Sequence, residues 1–190
     1  MWHDMARFGK KVVDHGLAGS CFGNISIRKG DKMLITTSGS SLDDMTEKSV
    51  VEIDIDKSSS LDSIASSETI VHRMIYQRTP ALTIIHAHPP FAVIESLLVD
   101  CDSIVPLNVE AQYFLQEIPV VRGRSGTQEL ADRTAQALID HKGAIVFGHG
   151  TFSIGETLEE AYFINELIEQ GCKLKYYYDL ARNCFENNCG

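Results

Sequence analysis

The sequence has no CxxC pair, no block of lysine or arginine, and no apolar run as long as a membrane span. Its five cysteines are an odd number, which disfavours a disulfide framework or a thiolate zinc site and favours a reducing, cytoplasmic location. Acidic residues (26) outnumber basic ones (17), giving a formal net charge of −9. This charge disfavours nucleic acid and anionic membranes as partners, although a local site can still hold a small anion.

Nucleotide-binding and targeting signatures are also missing. The chain contains neither a Walker loop nor a dinucleotide-binding fingerprint, so nucleotide binding has no support in the sequence. The N-terminal stretch MWHDMARFGKK lacks the apolar segment of a signal peptide. With 44% hydrophobic and 23% charged residues, the composition is that of a globular protein, and residues 1–190 are expected to form one domain.

Helix-like and strand-like segments alternate along the chain. A helix to about Leu17 precedes a hairpin of NISIR and KMLITT and a third strand, VVEIDI. Helices are predicted in SSETIVHRMIYQR, FAVIESLLV and GTQELADRTAQALIDHKG, and strands in ALTII, SIVPLNV, IPVV, AIVFGHG and TFSIG. A long final helix is expected to be weakened at Gly171. This alternation predicts an α/β fold with three αβα layers around a central mixed β-sheet.

The segment IIHAHPP places two histidines at the end of a buried strand. Side chains alternate between the two faces of a strand, so His86 and His88 point the same way. The two following prolines have no N–H for a ladder and are expected to end the strand. Such a pair can chelate a metal ion, or it can be hydrogen-bonded near a sheet edge. His149 lies between two glycines after another apolar strand, and it is either a third ligand or a turn histidine.

Three neutral imidazoles would leave a metal ion its full charge and an open position, which is the pattern of a catalytic zinc site. Glu68 follows two serines at a predicted helix start, where an acidic residue usually stabilises the helix dipole. A structural pair of Glu68 with His72, one turn later, and a general base beside the metal are the alternatives. His3, His15 and His141 lie in polar segments and are expected to be solvated.

Three small polar turns could bind a phosphate group. They are FGN before the first strand, TSGSS after the second, and the serine pair before the second helix. Each offers backbone N–H groups and short donors, and each is equally compatible with ordinary turn chemistry. Neutral donors of this kind suit a small sugar phosphate.

Five motifs occur in an order typical of one protein family: GNISIR, ITTSGSS, SSETIVH, HAHPP, and GHG followed by a long Glu-rich helix. Over about residues 17–180 the chain resembles the class II aldolase and adducin family, and within it the L-fuculose-1-phosphate aldolases. The resemblance implies a zinc-dependent aldehyde-lyase that reversibly cleaves a ketose 1-phosphate to dihydroxyacetone phosphate and a small aldehyde such as L-lactaldehyde. It also implies one Zn²⁺ per subunit and a homotetramer with active sites at subunit interfaces.

The resemblance also assigns roles by position. His86, His88 and His149 would hold the Zn²⁺. Glu68 would be the acid/base and a fourth zinc ligand until substrate displaces it, which reverses the conclusion drawn from the residues alone. The substrate phosphate would be bound by small residues of the three polar turns, namely Gly23, Asn24, Ser38, Gly39, Ser66 and Ser67.

The sequence departs from the fuculose-phosphate aldolase pattern near the aldehyde. Glu110 stands where those enzymes carry a tyrosine that assists proton transfer, with Tyr113 only nearby, and Phe22 replaces a glycine. A tail tyrosine from a neighbouring subunit completes the site in some relatives, and three candidates without a clear match are Tyr176, Tyr177 and Tyr178.

Other members of the family leave alternative functions open. Pentulose-phosphate 4-epimerases and methylthio-sugar-phosphate dehydratases share the zinc site, while adducin-like interaction modules keep the fold and lose the ligands. The presence of Glu68 favours the aldolase over the epimerases, which tend to carry aspartate there. The three histidines and Glu68 together argue against an interaction module.

Overall fold

The computed structural model describes residues 1–188, which contain one eight-stranded mixed sheet. The strands are β1 Asn24–Lys29, β2 Lys32–Thr36, β3 Val50–Asp54, β4 Thr83–Ala87, β5 Ser103–Ile104, β6 Ile118–Val121, β7 Gly143–Val146 and β8 Gly150–Gly155. The helices are α1 Trp2–Asp14, α2 Thr69–Arg78, α3 Pro90–Leu98, α4 Val109–Leu115, α5 Gln128–Ala137 and α6 Leu158–Asn188. The strand order is β3-β2-β1-β4-β8-β7-β6-β5, and only the β6–β7 pair is parallel.

Helices cover both faces of the sheet, as the alternation within β4 shows. Ile84 belongs to a hydrophobic core formed with α2 and α5. Its neighbour Ile85 belongs to a second core formed with α1 and α6, on the opposite face. A third core lies on the same side as the second, between α3, α4 and α6. The predicted α/β fold with a mixed sheet between helical layers is therefore confirmed.

The segment between α3 and β6 differs from the sequence prediction. Only Ser103–Ile104 of the predicted strand SIVPLNV is extended. Residues 105–108 are irregular, and α4, which the sequence did not reveal, begins at Val109. The expected weakening at Gly171 is also wrong, because α6 continues through it as a regular helix. A Cβ added at Gly171 would lie 3.2 Å from the Cβ of Pro106 and 3.5 Å from that of Ala111. The glycine thus allows α4 and its preceding loop to pack closely on α6.

No described helix is long and apolar enough to cross a membrane. Cys21, Cys101 and Cys172 are free thiols. Cys189 lies outside the described residues.

A buried chain of hydrogen bonds joins α2 to β1. The Tyr76 hydroxyl lies 2.7 Å from Ser26 Oγ, and Ser26 Oγ lies 2.7 Å from Nδ1 of His72. Nε2 of His72 lies 2.6 Å from Oδ1 of Asn24. One turn of helix separates the two α2 residues and two positions separate the two β1 residues, so one helix face meets one strand face. The alternative of a structural pair between Glu68 and His72 is therefore not realised, because both ring nitrogens of His72 have other partners.

Acid should destabilise the metal-free protein through His72. Burial lowers the pKa of His72 to about 3, whereas an unfolded histidine titrates near about 6.5. Between the unfolded and the native pKa values the unfolded chain binds a proton at this residue and the native chain does not, so the free energy of unfolding falls as the pH falls. The loss should reach about 1.4 kcal/mol per pH unit for this residue.

Urea unfolding in the presence of a chelator, from about pH 7 to about pH 4, measures this dependence. The matched control His72→Gln should show a shallower slope than the wild type over the same range. Equal slopes would contradict the assignment of a buried neutral imidazole to His72.

Candidate active site

One cavity of about 300 Å³ brings together every residue that the sequence predicts for the site. Its walls include the polar turns, Glu68 and the three histidines, that is Gly23, Asn24, Ser38, Gly39, Ser66, Ser67, Glu68, His86, His88 and His149. Five further residues complete the lining: Cys21, Phe22, Thr37, Ser40 and Ser125. Residues far apart in the sequence thus meet at one end of the central strands.

A larger groove of about 580 Å³ lies beside this cavity and shares Ser38, Ser66 and Ser67 with it. Of the described residues that line it, none is a histidine. Its Arg73 is paired with Asp62 at 2.6 Å, so this cation is neutralised by a neighbouring carboxylate. The smaller cavity is therefore the candidate active site, because groups able to bind a metal or move a proton converge there.

The sheet register sets the distance between the two halves of the site. Asn24 at the start of β1 lies directly opposite His86 near the end of β4. Gly23, just before β1, has φ +91°, and a Cβ there would lie 2.6 Å from the His86 carbonyl oxygen. Only glycine allows this left-handed conformation and this close approach without strain.

The segment after β4 is held from two sides. The strand ends at Ala87, and Pro90 becomes the first residue of α3, as the sequence predicted for a strand closed by prolines. The His88 amide donates to the Leu17 carbonyl at 2.9 Å. The first amides of α3 donate to the carboxylate of Glu169 on α6, at 3.1 and 2.9 Å. These contacts fix the backbone on both sides of the His88 side chain.

The turn before β8 presents His149 to the cavity. Gly148 has φ +64°, and the His149 amide donates to the Val146 carbonyl at 3.0 Å. The Gly148 amide donates to the buried Ser96 hydroxyl at 2.9 Å, which ties the turn to α3. A Cβ at Gly150 would lie 2.3 Å from the Ala87 carbonyl oxygen. Glycine on both sides of His149 thus follows from the turn geometry and from close strand packing.

The three histidines offer ligand atoms that all lie within 4.8 Å of one another. Nδ1 of His86 lies 2.8 Å from the Thr151 carbonyl and must donate to it, which leaves Nε2 without a proton. Nε2 of His88 lies 3.1 Å from Nε2 of His86. Two nitrogens on one tetrahedral Zn²⁺ are separated by about 3.3 Å, given Zn–N distances of about 2.0–2.1 Å. His149 Nδ1 is buried without a hydrogen-bond partner among the described residues, as expected for an atom that binds a metal.

Burial and neighbouring imidazoles favour the neutral forms of His86 and His88. Burial, and then the neighbouring His88 and His149, lower the pKa of His86 well below its ordinary value. Burial and His149 lower the pKa of His88 to about 4. A neutral imidazole is the form that binds a metal ion. The Phe152 ring stacks on His86 with centroids 4.2 Å apart and fixes the plane of the imidazole.

Buried polar groups on β8 and α6 hold the strand segment whose carbonyl binds His86. The Thr151 hydroxyl donates to Oδ1 of Asn165 on α6 at 2.9 Å. The Asn165 amino group donates to the Ser153 hydroxyl at 3.1 Å. Because the Thr151 carbonyl sets the tautomer of His86, these bonds connect α6 to the orientation of a candidate metal ligand.

Glu68 lies at the N-terminal end of α2 and is 4% exposed, but its side chain does not cap the helix. Ser125 donates to Glu68 Oε1 at 2.5 Å. Glu68 Oε2 is buried and has no hydrogen-bond partner in the described part of the chain. Glu68 lines the same cavity as the histidines but does not belong to their compact group of ligand atoms.

Ser125 lies in the loop between β6 and α5 and was not predicted from the sequence as a site residue. The only local signal is the string GRSGT, which is typical of a turn before a helix. Its partner Glu68 is remote in the sequence, so only the packing of α5 against α2 brings the two together.

The residues considered for the aldehyde end do not reach the cavity within one chain. Tyr113 is 78% exposed and packs on Phe114, and neither Tyr113 nor Glu110 lines the cavity. Tyr176 and Tyr177 pack on Phe91 instead, with ring centroids 5.6 and 5.5 Å away. Phe22, in contrast, lies at the cavity with its ring 5.9 Å from that of His88.

His15 is less isolated than the sequence suggested. Its side chain is half exposed, and its Nδ1 contacts the Tyr162 hydroxyl and lies 3.4 Å from Glu166 Oε1. These contacts join the end of α1 to α6. They lie outside the cavity, so His15 is not part of the site.

Several known proteins are similar to this chain in sequence and in fold. Residues 3–176 match the sequence profile of the Class II Aldolase and Adducin N-terminal domain. An L-fuculose phosphate aldolase of Methanocaldococcus jannaschii is 31% identical over 168 residues, which are 87% of this chain and 90% of that protein. The crystal structure of the L-fuculose-1-phosphate aldolase from Thermus thermophilus has a TM-score of 0.90 and 32% identity. That match covers 96% of this chain and 95% of the other.

A further relative is named for a different activity. It is a probable bifunctional methylthioribose-1-phosphate isomerase/methylthioribulose-1-phosphate dehydratase of Nocardia farcinica, 24% identical over 188 residues. The match covers 90% of this chain but only 34% of that protein. The profile match over most of the chain and the relatives above 30% identity lead to one conclusion: this chain belongs to the class II aldolase and adducin family.

Proposed function

We propose that this protein is a zinc-dependent aldolase that reversibly cleaves a ketose 1-phosphate to dihydroxyacetone phosphate and a small aldehyde. L-Fuculose 1-phosphate is the proposed substrate, and L-lactaldehyde the proposed aldehyde. The observation that carries the proposal is a single cavity holding three convergent imidazoles, a buried carboxylate and a ring of small polar turns. The similarity to proteins named L-fuculose phosphate aldolase supports the choice of substrate.

His86, His88 and His149 are the proposed ligands of the ion. Their neutral nitrogens leave an ion its positive charge, and imidazole suits Zn²⁺ well. When bound there, Zn²⁺ supplies a Lewis acid that stabilises negative charge developing on substrate oxygens. The turns around Gly23, Ser38 and Ser66 are the proposed phosphate site, which would hold the reacting carbons in place.

Glu68 is the proposed acid/base. After the C3–C4 bond breaks, Glu68 would deliver a proton to C3 of the enediolate, and in condensation it would remove that proton. Its buried Oε2 has no partner among the described residues and is the atom suited to this transfer. Oε1 is engaged by Ser125, which keeps the carboxylate in one orientation. Coordination of the ion by Glu68 before substrate binds remains part of the proposal.

We propose a cytoplasmic homotetramer in which neighbouring subunits complete each site. One chain alone brings no tyrosine to the described cavity, so the group that takes the C4 hydroxyl proton would come from a neighbour. Apolar side chains are exposed on α3, α4 and α6, among them Leu98, Val109, Tyr113 and Phe114. Such a surface is typical of an interface between subunits.

Release of dihydroxyacetone phosphate from L-fuculose 1-phosphate tests the proposed function. The zinc-loaded protein should release it, and a chelator should abolish the release, because the ion stabilises the charge formed on cleavage. A coupled assay measures the product, with ribulose phosphates and methylthioribulose 1-phosphate run in parallel.

Two outcomes would contradict the aldolase. Zinc binding without release would favour an epimerase or the dehydratase, a second candidate supported by the similarity to the Nocardia farcinica protein. Failure to bind zinc, with no gain when zinc is added, would favour a non-catalytic interaction module.

Glu68→Gln should lower kcat by about 10²–10⁴-fold, the usual contribution of a general acid or base. Zinc content and phosphate affinity should be retained in large part, because the amide keeps the size of the side chain. Glu47→Gln, at an exposed position, is the matched control and should leave turnover unchanged. Unaltered turnover in Glu68→Gln would remove Glu68 from the mechanism.

Ser125→Ala should reduce kcat by about tenfold with little change in KM. The substitution removes a hydrogen bond to a charged group, a class of interaction that contributes about 1.5–3 kcal/mol. Ser125→Thr keeps the hydroxyl and should retain most of the activity. Steady-state kinetics of both variants measure this effect. A wild-type kcat in Ser125→Ala would show that Glu68 does not need the hydrogen bond from Ser125.

A further inference from the structure

Asn24 is one of the proposed phosphate-binding residues, and a hydrogen bond with the buried His72 holds its side chain in place. It is 6% exposed, lines the cavity, and receives a hydrogen bond from His72, which is fully buried. His72 in turn contacts Ser26, and Ser26 contacts Tyr76. The Phe152 ring meets His72 edge-on, with centroids 5.8 Å apart, so the imidazole cannot easily change its plane.

The direction of every hydrogen bond in this chain follows from its far end. Ser26 Oγ is the hydrogen-bond partner of the Tyr76 hydroxyl, and no other is found for it among residues 1–188. Burial raises the pKa of Tyr76, so the hydroxyl keeps its proton and must donate it to Ser26. Ser26 then donates to Nδ1 of His72, and a neutral imidazole with Nδ1 accepting carries its proton on Nε2.

The Nε2–H of His72 must therefore donate to an acceptor, and the carbonyl oxygen of the Asn24 carboxamide fills that role. The reverse direction would start at an Asn24 amino group and would leave either the Tyr76 or the Ser26 hydroxyl proton without an acceptor among the described residues. An unpaired buried donor of this kind costs about 1–3 kcal/mol. With its oxygen turned towards His72, Asn24 has its amino group left for the cavity.

We propose that His72 is a positioning residue that presents the Asn24 amino group as a donor to the phosphate of the substrate. This inference rests on the proposed function, because it requires the phosphate to lie beside Asn24. A phosphate dianion only accepts hydrogen bonds, so a carboxamide turned the other way would oppose it with its oxygen. The chain Tyr76–Ser26–His72–Asn24 thus selects an acceptor-only anion at this position.

The role of His72 differs from that of the zinc-site histidines. It does not line the cavity, and it does not belong to the group of candidate metal ligands. Loss of His72 should accordingly weaken phosphate binding while zinc binding persists. In steady-state kinetics the loss should raise KM for a phosphorylated substrate more than it lowers kcat.

Titration of inorganic phosphate into the zinc-loaded protein, followed by calorimetry, tests the proposal. His72→Leu should weaken phosphate binding by about tenfold, the effect of one lost donor, with unchanged zinc content. His72→Gln can still donate an N–H to Asn24 and should recover most of the affinity. Asn24→Ala should weaken binding at least as much as His72→Leu. Wild-type affinity in His72→Leu, or equal losses in the Leu and Gln variants, would overturn the positioning role.

The two proposals fail in distinguishable ways. If Asn24→Ala weakens phosphate binding and His72→Leu does not, the phosphate site stands and the role of His72 is overturned. If Asn24→Ala binds phosphate as the wild type does, the phosphate lies elsewhere, and both the phosphate site at Asn24 and the role of His72 are overturned. The aldolase activity itself is tested separately, by release of dihydroxyacetone phosphate.

A spectroscopic measurement on the unaltered protein covers the case in which His72→Leu does not fold. Two-bond ¹H–¹⁵N correlation spectra of histidine-labelled protein identify the protonated ring nitrogen, and the His72→Gln spectrum assigns the signals. The expected result is a neutral His72 with its proton on Nε2. A proton on Nδ1 would reverse the hydrogen-bond chain and overturn the proposal.

Discussion

The pairing of β1 with β4 is the constraint on which the site depends. It sets Asn24 opposite His86, and it requires glycine at position 23, because the backbone there passes too close to the His86 carbonyl for a side chain. The pairing of β4 with β8 then brings Thr151 opposite Ala87, next to the GHG turn. A shift of one residue in either pair would turn a candidate phosphate donor or metal ligand to the opposite face of the sheet. The position of the chemistry is therefore fixed by backbone hydrogen bonds.

Two buried histidines, His86 and His72, both contact the Phe152 ring and show opposite uses of the same side chain. His86 donates its Nδ1 proton to the Thr151 carbonyl, so its other ring nitrogen, Nε2, faces the cavity without a proton. His72 accepts at Nδ1 and directs its Nε2 proton towards Asn24. The difference is set by the partner of Nδ1, a carbonyl in one case and a hydroxyl in the other. Burial keeps both rings neutral, because a charged imidazole in either place would lose its hydration.

Much of this arrangement could be predicted from the sequence, and the rest depends on contacts that the sequence does not display. Strand periodicity and the two prolines were enough to predict that His86 and His88 share a face. The family resemblance was needed to group Glu68 with them, since its local context is typical of an ordinary helix start. Helix α4 was missed because the strand-like SIVPLNV pattern runs up to its first residue, Val109, and because the close packing of α4 on Gly171 is not visible in the sequence. Ser125 and the true partners of His72 are set by tertiary packing across remote segments, which no local pattern records.

The cavity draws its walls from six separated stretches of the chain, which lie near residues 21–24, 37–40, 66–68, 86–88, 125 and 149. No contiguous fragment contains more than part of the set, and the strands that carry it pair across long sequence separations. Folding must therefore close most of the sheet before any binding surface exists, and long-range closure of this kind is slow. A partly synthesised chain that lacks the GHG turn would hold neither the full set of histidines nor the complete cavity, so that binding at the candidate site would report a completed fold.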